Sequence, residues 1–179
     1  MKNLRKHHWG YVGAWVFLIY STLYIVRPIC DFLKKTTPFG LISNITIVLV
    51  FVVVVFLLWT KFRIKKISSY IYLALALMAY SYYLINLQYP EEKLHLIEYG
   101  ILGYLVYKAM RIDIKGFLGY LSAFLLTAFL GWIDEEIQRI LPNRYFQVSD
   151  VVLNAQSGAL GLFIIYIFER EMVESDTKI

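Results

Sequence analysis

The sequence predicts an all-α protein, a polytopic bundle of about six transmembrane helices on short connections, and three observations predict it. First, 59% of its 179 residues are hydrophobic, against roughly 45–50% apolar content in an ordinary soluble domain. Second, Gly40 to Trp59 reads GLISNITIVLVFVVVVFLLW without a charge. About twenty helical residues rising 1.5 Å each cross a hydrocarbon core of about 30 Å. Third, Lys and Arg gather in alternate connections beside the apolar runs, as topology determinants do.

The expected spans are residues 9–26, 40–59, 69–88, 95–110, 117–133 and 151–168. The first follows the basic start MKNLRKHH and is read as a retained span. It is long, no small-residue cleavage pattern follows, and Arg27-Pro28 is expected to end it. The second is the charge-free run. The third is apolar and Tyr-rich, with Tyr80, Tyr82, Tyr83 and Tyr89 suited to an interfacial aromatic belt that Tyr145 would join. The fourth carries His95 and Glu98 and is the least hydrophobic, so five spans is the alternative count. The fifth leads into DEEIQRI, a short helical segment that Pro142-Asn143 should end. After the sixth, EREMVESDTKI reads as a frayed polar tail. Residues 1–68 thus form two N-terminal spans, 69–168 a four-span core and 169–179 the tail, all within one structural domain.

Sidedness follows from the cations. The N-terminus, the second and fourth connections and the tail hold twelve Lys and Arg, among them Lys2, Arg5, Arg63, Lys65, Arg111 and Lys178. The other connections hold six: Arg27, Lys34, Lys35, Lys93, Arg139 and Arg144. This bias places both termini in the cytoplasm and the acidic connections outside. The net charge of +5 is dispersed along these flanks and forms no basic face, which argues against a nucleic-acid partner. The single Cys30 has no internal disulfide partner.

Topology then brings polar residues together. His95, Glu98, Tyr99 and Leu102 share one helical face, at i, i+3, i+4 and i+7. Asp150, Asn154 and Gly158 form a polar and small stripe at i, i+4 and i+8, with Ser157 and Gly161 beside it. Asp134 and Gln138 are i, i+4. All three sets come to the outer surface, and ionisable groups at span edges usually face a bundle interior or a water-filled cavity. Each also has a plainer reading. Asp150 could cap its helix. Asn154, Ser157 and the glycines could serve helix packing. Glu136 and Arg139 read as solvated charges. The metal set compatible with this arrangement is His95, Glu98, Asp134 and Asp150, a weak signal for a divalent ion because no second His accompanies His95. No serine elbow and no phosphate-cradling glycine loop occurs, so the residues name no nucleophile and no cofactor.

Taken in order, KLHLIEYGILG, DEEIQRILPNR and DVVLNAQSGALG resemble the motifs of the VanZ-like family of bacterial integral membrane proteins, over about residues 70 to 168. The matching positions are Lys93, His95, Tyr99 and Gly103, then Asp134, Glu135 and Gln138, then Arg144, Asp150, Asn154 and Gly161. Asn143 stands where the family usually has Gly, and Asn also tolerates a left-handed turn. Ser157-Gly158 stands where Gly-Ala is expected, which shifts the smallest residue by one. The resemblance implies a multi-pass protein of the bacterial cytoplasmic membrane, in a family whose namesake is linked with low-level teicoplanin resistance.

Three functions are compatible with these features. In the first, an outward-facing acidic and His pocket recognises or modifies a cell-envelope lipid or a glycopeptide ligand. His95, Glu98, Asp134 and Glu135 are then the candidate acid and base groups, and Lys93, Tyr99, Gln138, Arg144, Asp150 and Asn154 the ligand-binding ones, with Arg144 on an anionic group. The second is a small proton-coupled transporter, which intramembrane His and Glu would serve. It fits less well, because no inverted repeat is evident and the polar set lies off the midplane. The third is a structural membrane protein acting through a protein partner. The residues fix neither the substrate nor the oligomeric state.

Overall fold

The computed structural model describes residues 2–62, 66–87, 89–142 and 144–176. Among the described residues it is entirely helical: α1 Lys2–Thr36, α2 Phe39–Phe62, α3 Ile67–Asn86, α4 Pro90–Met110, α5 Gly116–Ile140 and α6 Val148–Asp176. Every expected span lies within one of these helices, apart from the C-terminal end of the third, where α3 stops at Asn86 and residue 88 lies outside the described residues. Arg63, Lys65, Asn143 and Lys178 lie outside the described residues.

Four helical segments are long and apolar enough to cross a membrane among the described residues: Arg5–Thr36, Ile67–Asn86, Gly116–Ile140 and Val148–Arg170. Large apolar side chains such as Phe17, Phe32, Ile85 and Phe117 project outward from the bundle. In water such a surface would be an extended exposed apolar area, and in a bilayer it meets lipid, so the pattern is that of a membrane protein.

α4 is the exception that organises the rest. It packs against α1, α2, α5 and α6, and Leu96, Tyr99, Leu102, Val106 and Ala109 are buried along it. Neighbouring helices, not lipid, surround its polar positions, which is why a less apolar helix can sit among more apolar ones.

Contacts at the two ends give the helix directions. α4 and α6 run parallel, because His95 lies near Asp150 at their starts and Tyr107 bonds Glu169 further along. α5 runs against both, with Asp134 meeting Tyr99 and Tyr120 meeting Glu169. α1 runs against α4: Trp15 Nε1 donates 2.9 Å to the Glu98 carbonyl, and Arg5 pairs with Asp113 at 3.2 Å. α3 runs against α6, through Tyr83 with Gln156 and Arg170 with Tyr72. The starts of α4 and α6 and the end of α5 therefore meet at one end of the bundle.

The close approach of α4 to α6 requires glycine. A Cβ on Gly103 would lie 2.9 Å from the Gly158 carbonyl oxygen, and one on Gly161 would collide with the Gly100 carbonyl. Small residues let helix backbones touch where lipid supplies no hydrophobic drive for association.

Two boundaries differ from the sequence expectation. α1 does not end at Arg27-Pro28 but continues through Pro28 to Thr36. A proline removes one backbone donor, a loss that spanning helices tolerate. The DEEIQRI segment is not a separate helix either but the last two turns of α5, which Leu141 caps and Pro142 follows. The stretch read as a tail begins in α6, which extends to Asp176.

Candidate functional site

The site lies where the first turns of α4 and α6 meet the last turns of α5. α4 opens at Pro90, in the first-turn position where a missing N–H costs nothing, and this sets His95 and Glu98 in its second and third turns. α5 remains helical through Gln138, which holds Asp134, Glu135 and Gln138 rigidly. α6 starts at Val148, so Asp150 falls in its first turn, where the helix dipole favours an anion.

Asp134, Glu135, Gln138, Asp150, Asn154 and His95 are all buried. Tyr99 donates its phenol proton to Asp134 Oδ2 at 2.8 Å. Gln138 Nε2 donates to Glu135 Oε1 at 2.7 Å, and the Gln147 backbone N–H donates to Glu135 Oε2 at 3.2 Å. Gln147 Nε2 also donates to Asp150 Oδ2 at 3.2 Å. Asn154 Nδ2 donates to the Gly131 carbonyl at 3.2 Å. His95, Glu135 and Asp150 each present a ligand atom within 4.8 Å of the other two.

At the edge of this cluster the polar groups become accessible. Glu98 is half-buried, with Oε2 3.6 Å from His95 Nδ1. A cavity of about 10 Å³ between α1 and α4 is lined by Ile19, Thr22, Leu23, His95, Glu98 and Arg144, among others. That is room for about one water. Arg144 is anchored there by Nε, which donates to the Leu23 carbonyl at 3.3 Å.

The structure therefore brings together nine of the ten residues singled out in the sequence. The tenth, Lys93, is turned away: its ammonium donates to Asn44 Oδ1 of α2 at 2.6 Å. Residues i and i+2 point to different sides of a helix, so Lys93 and His95 cannot share a face. The nearest metal-ligand set also differs in membership from the one compatible with sequence. It contains Glu135 with His95 and Asp150, while Asp134 is occupied by Tyr99 and Glu98 lies at the cavity edge. Asp150 does not sit at the cap position but inside the first turn, where its carboxylate accepts from Gln147. Glu136 and Arg139 pair with each other at 3.7 Å outside the cluster.

Two contributions had no sequence signal. Gln147 lies in an irregular connection, where no periodicity indicates its direction. α1 supplies the Leu23 carbonyl for Arg144 and the Trp15 and Tyr20 donors for the Glu98 and Leu130 carbonyls. At the opposite end a second polar cluster ties α4, α5 and α6: Glu169 accepts from Tyr107 at 2.5 Å, from Tyr120 at 3.0 Å and from Arg111. The phenol rings of Tyr107 and Tyr120 stack with centroids 4.2 Å apart.

Comparison of the chain with protein-family models, with curated proteins and with solved structures gave no match.

Proposed function

We propose that the chain is a VanZ-like protein of the bacterial cytoplasmic membrane whose His and carboxylate site, facing outward, recognises a polar group of a cell-envelope lipid or glycopeptide ligand. The observation that carries this reading is the grouping of Glu98, His95 and Arg144 around one cavity, backed by the buried Asp134, Glu135 and Asp150. Arg144 presents a fixed cation to an anionic group such as phosphate. His95 and Glu98 are the acid and base pair nearest the cavity, 3.6 Å apart, and would carry any proton transfer to the ligand. The water-sized cavity favours a ligand held by its headgroup at the rim, with its bulk in the lipid or in water. The ordered motifs of α4, α5 and α6 support the family reading, and the cation distribution supports the outward direction.

The test is an envelope phenotype, read as teicoplanin susceptibility, in cells expressing the chain or its His95→Ala, Asp134→Asn or Asp150→Asn variants. Lost protection with normal amounts of folded protein in the membrane is expected. Disappearance of all three variants from the membrane would favour a purely structural role for the polar set. No difference between cells with and without the wild-type chain would count against the proposal.

A further inference from the structure

We propose that His95, Glu135 and Asp150 form a binding site for one divalent transition-metal ion. The three residues come from α4, α5 and α6 and each offers a ligand atom within 4.8 Å of the other two. An imidazole nitrogen with two carboxylate oxygens suits zinc, manganese or ferrous iron better than calcium, which takes oxygen ligands only. Around such an ion, at about 2.0–2.2 Å per bond, ligand atoms stand about 3.4 Å apart. The ligand atoms therefore stand within about 1.4 Å of the spacing that an ion requires.

Charge supplies the first argument. Glu135 and Asp150 are both buried, and among the described residues no ion pair reaches either of them. Two neighbouring buried carboxylates repel each other, and although Gln138, Gln147 and Ser149 donate hydrogen bonds to them and the Arg144 charge lies nearby, no cation among the described residues touches either. A divalent cation neutralises both, and a neutral imidazole completes its coordination without adding charge.

Unsatisfied polar atoms supply the second. His95 is 7% exposed, and its Nδ1 has no hydrogen-bond partner, with Glu98 Oε2 standing off at 3.6 Å. Asp134 Oδ1 and Asn154 Oδ1, in the same polar cluster, are also buried without one. Buried polar groups in native proteins nearly always have partners, so the unpartnered nitrogen of His95, a member of the ligand set, points to a missing species.

The carboxylates are also oriented as outer-shell partners orient metal ligands. Gln138 holds Glu135, and Gln147 holds both Glu135 and Asp150. Three protein ligands leave further coordination positions for water or a ligand oxygen, and one of the three, His95, also lines the cavity. The metal site does not depend on the envelope-ligand reading, since an ion could organise the three helix ends by itself.

The experiment uses the full chain purified in detergent, stripped with chelator and dialysed against zinc or manganese, with bound metal measured by elemental analysis. One ion per chain is expected. His95→Ala, Glu135→Gln and Asp150→Asn should each weaken binding by more than the about 10–100-fold typical of an outer-shell loss, and Gln138→Leu should fall within that range. Glu136→Gln, which alters an exposed charge, should bind as wild type. If a ligand variant does not fold, pulsed electron paramagnetic resonance on the manganese-loaded wild-type protein decides, because a directly bound imidazole nitrogen must appear as a coupling. Absence of that coupling, failure to bind either metal, or equal binding by Glu135→Gln and Asp150→Asn would overturn the proposal.

Discussion

The Tyr99 phenol donates a 2.8 Å hydrogen bond to Asp134 Oδ2, and both side chains are fully buried. The bond joins the middle of α4 to the end of α5 and uses one of the two oxygens of a carboxylate that has no access to water. Asp134 thus reads as a locked element of the site wall, and the polar groups that line the cavity are Glu98, His95 and Arg144.

Removing that donor should cost stability more than it alters binding. Tyr99→Phe keeps the ring and leaves the Asp134 oxygen without its partner, a loss of about 1–3 kcal/mol. Denaturant titration in detergent micelles checks it, with an unchanged midpoint as the contrary result.

Packing at the α4 and α6 crossing should be equally sensitive. Gly161→Ala places a methyl group against the Gly100 carbonyl, and overpacking of this kind costs about 1–3 kcal/mol. Gly13→Ala, where the added methyl meets nothing within 4 Å, is the control that should leave the thermal midpoint where it is.

The far-end cluster should behave as a helix tie with no part in ligand recognition. Glu169→Ala strips Tyr107, Tyr120 and Arg111 of a shared acceptor. It should lower stability by about 1–2 kcal/mol, because the groups are only partly buried. Cells carrying it should retain the envelope phenotype to the extent that the protein accumulates, measured by quantitative immunoblot beside the susceptibility assay.

Direction across the membrane is open to a chemical test. With Cys30 replaced by Ser, a membrane-impermeant maleimide should label Tyr145→Cys on intact cells. It should label Lys115→Cys only after permeabilisation. Both positions are exposed and lie at opposite ends of α5. The reverse pattern would turn the site toward the cytoplasm.

Much of this arrangement was legible in the sequence because apolar runs and helical phase are local properties. Six helices follow from six runs, and the 3.6-residue period alone put His95 with Glu98 and Asp150 with Asn154. What escaped depends on neighbours. Asp134 and Glu135 are adjacent and about 100° apart on one helix, so only packing decides that the first meets Tyr99 and the second faces Asp150. Lys93 was grouped with His95 by motif, although helix geometry separates them and Asn44 of α2 claims its ammonium. Glu169 looked like the start of a charged tail, and only the parallel course of α4 and α6 brings Tyr107 and Arg111 to it.

The most direct measurement is equilibrium binding to the purified chain in lipid nanodiscs, titrated separately with teicoplanin and with glycerol 1-phosphate as a headgroup probe. Saturable binding of one of them is expected, weakened at least about tenfold, or about 1.4 kcal/mol, by Arg144→Ala and also reduced by Asp150→Asn. Absence of binding by both probes, or binding that both variants leave unchanged, would contradict a ligand site at this end of the bundle.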